Sequence, residues 1–252
     1  MTDHDFDRAI LGEVAHRPWP KPDGPWLMTQ TWHDLLFAHW PVDAGVLRAL
    51  VPSTFSLDLF DGTAWLAIFP FRMTNVAPRG MPSMPWISEF AELNVRTYVR
   101  VGDKPGIYFF SLDAGSALAV RTARSLLNLP YFVAKMRVMG NGDAIEYESQ
   151  REHHPVAARF CATYRPVGAP SQPLAGSLEY FLTERYCLYN QDRRGAPYRL
   201  EIHHPPWQLQ PAEAAFRRNT MADAARMPLP GIQPLLHFAK RQDMVAWAPS
   251  ML

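Results

Sequence analysis

Four polar side chains alternate along one short segment of this 252-residue chain and could line a binding site. They are Glu92, Asn94, Arg96 and Tyr98, within the sequence FAELNVRTYVRV at 90–101. Because successive side chains of a strand point to opposite faces, these four share one face. A carboxyl group can transfer protons and a guanidinium can hold a carboxylate, so the row suits a small polar ligand. The same row would also suit the solvent-exposed side of an open sheet, which is the commoner situation.

Other groups that could carry chemistry form no recognisable motif. The nine histidines build no HExxH motif and no Cys/His cluster, and adjacent histidines at 153–154 and 203–204 point to opposite faces of a strand. No P-loop, GxGxxG or GxSxG motif occurs, so neither a metal nor a cofactor is predicted. Cys161 and Cys187 are interpreted as free thiols, with a disulfide left open.

Composition limits the classes of partner. The formal net charge is +1 and no basic or acidic block occurs, which argues against nucleic acid and anionic membranes as partners. No apolar run approaches the roughly 18 residues of a membrane span, and the first residues have no signal-peptide pattern. We therefore expect a soluble, cytoplasmic protein. Whether it forms a homo-oligomer is left open.

Short strands bounded by proline and glycine dominate the predicted elements. A hairpin is predicted over 55–71, with Asp61-Gly62 as its turn, and another over 131–151, with Asn141-Gly142 as its turn. Further strands are predicted at 30–40, 90–101, 107–113, 158–165, 186–191 and 198–204, and a strand or helix at 235–247. Residues 75–88 have the composition of a surface loop, either inert or covering a pocket.

Helices are predicted to be few. Asp43 and Ser116 are suited to cap helices at 44–50 and 116–128, and two more short helices are predicted at 5–16 and 211–224. The pattern predicts a mostly β (α+β) fold, namely an antiparallel β-barrel with two or three peripheral helices. Residues 28–252 are predicted to form its single domain, and residues 1–27 an N-terminal arm lying on it.

Several motifs in combination resemble a known family over residues 28–247. They are HW at 39–40, LVP at 50–52, FDGTAW at 60–65, FAELNVRTYV at 90–99, PGIYFFSLDA at 105–114, ARSLLNLPY at 123–131, LTERY at 182–186 and HHPPW at 203–207. The family is the YqjF-like group of uncharacterised bacterial proteins. It is more distantly similar in fold to acetoacetate decarboxylase, a β-barrel enzyme.

The resemblance to acetoacetate decarboxylase does not extend to its nucleophile. That enzyme forms a Schiff base through a lysine in a Pro-Lys-Lys motif, and the matching residues here are Pro130, Tyr131 and Phe132. Glu92 matches the family's strand glutamate. A tyrosine cannot form an imine, and Lys135, predicted to share Tyr131's strand and face, would lie about 13 Å farther along. Acetoacetate decarboxylation by the family route is therefore not expected.

Three hypotheses for function follow. In the first, a cofactor-free lyase or isomerase acts on an oxo acid or other small organic acid, with Glu92 and Tyr131 as catalytic acid, base or enol-stabilising groups. Arg96 or Arg124 would anchor a carboxylate, and Asn94, Tyr98 and His39 would complete the substrate-binding set. In the second, the same pocket binds a small molecule without turnover. In the third, side chains fill the barrel and the protein is a scaffold.

Overall fold

Long strands with buried side chains make up most of this computed structural model, which describes residues 5–82, 89–151 and 157–252. The strands are β1 (Met28–Val42), β2 (Ser56–Leu57), β3 (Ala64–Pro78), β4 (Phe90–Val101), β5 (Lys104–Ala114), β6 (Tyr131–Val133), β7 (Lys135–Asn141), β8 (Ala144–Arg151), β9 (Ala158–Pro166), β10 (Cys187–Gln191), β11 (Pro197–His203), β12 (Gln210–Asn219), β13 (Leu235–Ala246) and β14 (Ser250–Met251). The α-helices within the described ranges are α1 (Ala44–Leu50), α2 (Ala117–Leu127), α3 (Leu178–Thr183) and α4 (Met221–Ala224), and a 3-10 turn spans Arg8–Gly12.

Seven of these strands close into a ring. Their order is β11-β10-β5-β4-β3-β1-β13, and β13 pairs back to β11 through Ile202 with Ala246 and His203 with Val245. Neighbouring strands are antiparallel except where β5 pairs with β10 and with β6. The predicted mostly β fold class is confirmed, with four short helices in the described residues rather than two or three.

A second layer packs against one face of the ring strands. From β13 the sheet continues through β12, β9, β8 and β7. A core cluster joins Leu66 and Val95 of the ring to Tyr147, Phe160 and Tyr164 of this second layer. Because strand side chains alternate, the opposite face of β4, which carries Glu92, Asn94, Arg96 and Tyr98, is turned toward the interior of the ring.

Helix-capping and turn residues correctly predict where several elements begin or turn. The Asp43 side chain accepts a hydrogen bond from the Val46 amide at 3.0 Å, and α1 begins directly after it. Ser116 caps α2 by accepting from the Ala119 amide at 3.3 Å. The hairpin of β7 and β8 has Gly142 at φ +61°, a conformation that glycine adopts without steric cost.

Two predicted elements are wrong. Residues 55–59 do not pair with the strand that follows the Asp61-Gly62 turn, because β2 pairs with β4 through Ser56 and Arg100. The predicted helix at 211–224 is strand β12 over most of its length, with helix only from Met221. Its alanines are typical of helices, but side chains of β12 alternate between half-buried and exposed along its pairing with β9. Tertiary pairing therefore overrides local propensity here.

Other predicted segments differ in extent. The predicted helix at 5–16 is only the 3-10 turn, and residues 75–78 of the predicted loop belong to β3. Residues 83–88 of that loop and the histidines at 153–154 lie outside the described residues. Residues 131–133 form β6, which pairs with β5 and is separate from β7.

The N-terminal segment lies along β11. Arg17 donates to the Ile202 carbonyl at 2.8 Å, and its guanidinium lies 4.8 Å from the centre of the Tyr186 ring. The Trp19 indole donates to the Glu201 carboxylate at 2.9 Å. These contacts agree with an arm lying on the body of the protein, while the division at residue 27 stays a prediction.

Across the described ranges, no helix has the length and apolar character needed to span a bilayer.

We expect acid to destabilise the protein through the buried histidines of β11 and its continuation. Burial lowers the pKa of His203 and of His204 to about 4, against an ordinary value of 6.5. Because the unfolded chain takes up protons first as pH falls, stability present above pH 6.5 is lost as the pH approaches 4. Each imidazole contributes up to about 3 kcal/mol to this loss.

Urea unfolding at pH 7 and pH 4 measures this effect. His204→Gln should reduce the difference between the two free energies of unfolding by about 3 kcal/mol. The control Arg165→Gln, which changes an exposed ion pair with Glu213, should leave the difference unchanged. A His204→Gln variant with the wild-type pH dependence would contradict the assignment.

Candidate active site in the ring interior

A buried carboxyl and a tyrosine hydroxyl meet where three strands lie side by side. The Tyr131 hydroxyl donates to Glu92 Oε2 at 2.9 Å. Strand β5 lies between their strands: Glu92 of β4 is opposite Ala114, and Tyr131 of β6 pairs in parallel with Leu112. The two side chains are distant in sequence, and only this strand order brings them together.

The turn after α2 positions Tyr131 beside Glu92. Helix α2 ends at Leu127; its C-cap Asn128 has a left-handed φ of +47°, and Leu129 is buried. Pro130 cannot continue a helix, and its carbonyl accepts a hydrogen bond from the Leu112 amide at 2.9 Å. The chain therefore leaves the helix as a strand running parallel to β5.

The Glu92 carboxyl holds its proton at neutral pH. Burial raises its pKa from 4.5 to about 8; the hydrogen bond from Tyr131 opposes this rise, and the nearby charge of Asp113 adds to it. Burial also raises the pKa of Tyr131 well above its ordinary value, with a further contribution from Glu92. At pH 7 the pair therefore consists mostly of a neutral carboxylic acid and a neutral phenol, which can give and take protons.

A buried ion pair supports this arrangement from the second layer. Arg151 of β8 forms a two-pronged ion pair with Asp113 of β5, with Nε 3.1 Å from each carboxylate oxygen. The same guanidinium stacks on the ring of Phe132 at 3.9 Å from its centre. Phe132 follows Tyr131 in β6, so the Asp113–Arg151 pair fixes the short strand that carries the hydroxyl.

Arg96 is a buried cation on the interior face. It is 6% exposed, and its guanidinium lies 4.5 Å from the centre of the Phe69 ring. Within residues 5–82, 89–151 and 157–252 it forms no ion pair with a carboxylate, and its Nε has no hydrogen-bond partner. Asn94 Oδ1, on the same strand face, is likewise buried and unpartnered there. Tyr98 forms a side-chain hydrogen bond with Arg96, but no opposite charge of the described residues balances the guanidinium. Burying an unbalanced charge is costly, so this position is suited to an anionic group.

A histidine and a tyrosine form a further polar contact in the interior. His39 Nε2 lies 2.7 Å from the Tyr98 hydroxyl oxygen, and that hydroxyl donates to the Leu182 carbonyl at 2.9 Å. Burial lowers the pKa of His39 well below its ordinary value, and the charge of Arg96 adds to this effect. The imidazole is therefore neutral at physiological pH.

The structure buries most of the side chains that the sequence singled out and forms two hydrogen-bonded pairs among them, Glu92 with Tyr131 and His39 with Tyr98. Glu92 and Tyr131 are hydrogen-bonded, and Asn94, Arg96, Tyr98 and His39 are all buried. It does not bring Arg124 into this group, because that residue is exposed near the end of α2 with its guanidinium 5.9 Å from the Phe132 ring centre. The expected shared face of Lys135 and Tyr131 is wrong, since Lys135 is exposed on the separate strand β7.

The sequence patterns do not identify Asp113 as the carboxylate of this supporting pair. Asp113 is the one charged residue in the mostly apolar run IYFFSLDA, and a charge in such a run is the available signal. Its partner Arg151 lies 38 residues farther along the chain in another strand, and no local pattern connects the two.

Two surface pockets lie away from these residues. One, of about 420 Å³, lies between α1 and the segment 227–230; the other, of about 310 Å³, lies between the end of α2, residues 192–194 and the C-terminal segment. No three His, Cys, Asp or Glu side chains converge as metal ligands in the described part of the chain.

Comparison with protein families gives a match over residues 29–243 to DUF2071, described as an uncharacterized conserved protein. A curated relative, the uncharacterized protein YqjF of Bacillus subtilis (strain 168), is 53% identical over 226 residues, which are 90% of this chain and 93% of that protein.

Solved structures with the same fold include acetoacetate decarboxylases. One is 12% identical, with a TM-score of 0.62 and 98% of both chains covered. That of Legionella pneumophila subsp. pneumophila str. Philadelphia 1 is 14% identical, with a TM-score of 0.60, covering 100% of this chain and 98% of that one. The enduracididine biosynthesis enzyme MppR complexed with pyruvate is 11% identical, with a TM-score of 0.61, covering 96% and 93%. At these identities the likeness concerns the fold.

Replacing Glu92 should stabilise the protein at high pH. The folded-state pKa of about 8 exceeds the ordinary 4.5, so the contribution of Glu92 is fully present below pH 4.5 and is lost as pH rises toward 8. Between pH 5 and pH 9 the wild type should lose about 4 kcal/mol of unfolding free energy through this group.

Denaturant unfolding of Glu92→Gln against wild type at pH 5 and pH 9 checks this expectation. The variant should lack that loss, whereas Glu213→Gln, at an exposed carboxyl, should keep it. Parallel pH dependences of wild type and Glu92→Gln would show that Glu92 is not the titrating group.

Proposed function

Because the chain belongs to the DUF2071 family and has the fold of acetoacetate decarboxylase, we propose that the ring interior binds a small organic acid, such as an oxo acid, and transfers protons on it. The observation that carries this proposal is the hydrogen bond between Tyr131 and a Glu92 carboxyl whose pKa burial raises to about 8. A group with such a pKa can act as both acid and base near neutral pH.

The carboxylate of the ligand would bind at Arg96. Its buried guanidinium makes no ion pair with any carboxylate of the described residues, and a carboxylate would compensate its charge. Glu92 and Arg96 lie four residues apart on one strand face, so their Cα atoms are about 13 Å apart. Asn94 lies between them, and both long side chains can approach opposite ends of one small molecule. The pyruvate in the MppR complex supports an oxo acid as the class.

Proton transfer beside a carbonyl fits these groups. In its ionised form, Glu92 would remove a proton from the carbon next to the carbonyl, and the Tyr131 hydroxyl would donate a hydrogen bond to the resulting enolate oxygen. Returning the proton to the same carbon exchanges hydrogen, and returning it elsewhere isomerises the acid. The sequence resemblance matches Tyr131 to the lysine of the decarboxylase, so this scheme uses no Schiff base.

In this proposal residues 28–252 form one catalytic domain of a cytoplasmic protein, with residues 1–27 as its arm. Arg124, predicted as an alternative carboxylate anchor, is exposed and would not bind the ligand.

A second candidate is a binding or scaffold protein without turnover. Aromatic rings fill part of the interior: Phe37 lies 4.3 Å from Phe69 and 4.9 Å from Trp207, centre to centre. The two surface pockets noted above also lie elsewhere. These observations favour a filled interior.

Hydrogen exchange and binding distinguish the candidates. Pyruvate in D₂O, followed by proton NMR of its methyl group, should lose signal faster with the wild type than in buffer alone. Glu92→Gln should slow this exchange at least about 100-fold because it removes the base, and Tyr131→Phe should slow it about 10-fold or more. Arg96→Gln should weaken binding about 10- to 100-fold in calorimetry, with Arg165→Gln as the matched control.

The results of these experiments distinguish an enzyme, a binding protein and a scaffold. Binding without exchange would overturn proton transfer and leave the binding protein. Failure of small oxo and other organic acids to bind at all would overturn both and leave the filled scaffold.

A further inference from the structure

The tautomer of His39 follows from its hydrogen bonds. The Tyr98 hydroxyl has one proton, and it donates that proton to the Leu182 carbonyl, which can only accept. The Tyr98 oxygen therefore accepts from His39, and Nε2, 2.7 Å away, must carry the hydrogen. In a neutral imidazole the other nitrogen, Nδ1, then has a free lone pair and can only accept.

This acceptor nitrogen has no partner of its own. His39 is completely buried, and its Nδ1 makes no hydrogen bond with any described residue. Burial and the charge of Arg96 both keep the imidazole neutral by lowering its pKa. Leaving a buried acceptor unsatisfied is unfavourable, so the position is suited to a group that donates.

His39 and Arg96 lie around the same pair of aromatic rings. Phe37 stacks beside His39 at 6.2 Å between centres, Phe69 lies under the Arg96 guanidinium at 4.5 Å, and the two phenylalanine rings are 4.3 Å apart. The interior thus offers a buried cation on one side and a buried neutral acceptor on the other. The unpartnered Asn94 Oδ1 adds a second acceptor.

We propose that the ligand is a hydroxy acid: its carboxylate binds Arg96, and its hydroxyl donates to His39 Nδ1. This inference rests on the proposed function, and it narrows the ligand from organic acids in general to those that carry a hydroxyl, including hydroxylated oxo acids. An ammonium group could also donate, but it would lie near Arg96 in an interior where Glu92 is neutral. Repulsion between like charges therefore favours the hydroxyl.

Matched pairs of acids test the inference. Isothermal titration calorimetry would compare lactate with propionate, glycolate with acetate, and 3-hydroxypyruvate with pyruvate, with alanine as the ammonium analogue. The hydroxylated member of each pair should bind about 10-fold more tightly, the usual effect of one buried hydrogen bond. Alanine should bind less tightly than lactate.

Two substitutions of His39 separate its two nitrogens. The amide of His39→Gln can take the place of Nε2 and keep the contact with Tyr98, but it leaves no acceptor at Nδ1. The amide oxygen of His39→Asn can take the place of Nδ1 and keep the acceptor. The hydroxyl preference should therefore disappear in His39→Gln and persist in His39→Asn, while both variants still bind plain acids through Arg96.

Three results would contradict the hydroxy-acid inference, and they show which claim fails. Acids that bind wild type with no preference for the hydroxyl would overturn this inference and leave the proposed function standing. A preference that survives in His39→Gln would overturn it also, because the hydroxyl would be recognised elsewhere. If no acid of the panel binds, the proposed function itself fails, and the inference fails with it.

Discussion

The free-energy cost of burying charged groups inside a closed ring of strands is the main physical constraint on this structure. Ring closure through β11 and β13 turns one face of β4 inward, and that face carries ionisable groups. The desolvation cost of each buried group is reduced in a different way. Inside the ring Glu92 stays protonated and His39 is neutral, whereas Asp113, between the ring and the second layer, is paired with Arg151. Arg96 is a charged group of the interior with no oppositely charged neighbour among the described residues, and for this reason we propose that an anion binds there.

The second layer contributes rigidity to this interior. Its Arg151 reaches across to Asp113 and stacks on Phe132, so one side chain ties β8, β5 and β6 together. Tyr147 of the same strand donates to the Glu92 carbonyl at 2.7 Å and holds the backbone beneath the carboxyl. A hydrogen-bonded acid and phenol held in this way need little reorganisation to pass a proton, which is the property that the proposed chemistry uses.

Sequence alone predicts the parts of this site that depend on local pattern. The alternation of β4 predicted that its four polar residues share a face, and helix caps predicted α1 and α2. Closure of the ring depends on pairing between distant strands, as does the contact between Tyr131 and Glu92, 39 residues apart. No periodic pattern in the sequence predicts these contacts between distant strands. Local pattern does not predict strand β12, because the alanines of this segment favour a helix. It also cannot show that Arg124 lies outside the site, because the exposure of that side chain depends on how α2 packs.

The state of the Glu92 proton tests the central claim most directly. Carbon-13 NMR of protein labelled at the glutamate carboxyls, with the Glu92 signal assigned by its loss in Glu92→Gln, gives the pKa of this group in the folded protein. We expect its midpoint near pH 8, where burial places it. A midpoint near the ordinary 4.5 would mean a solvated, ionised carboxylate at neutral pH, and it would contradict both the buried acid and the chemistry proposed for it.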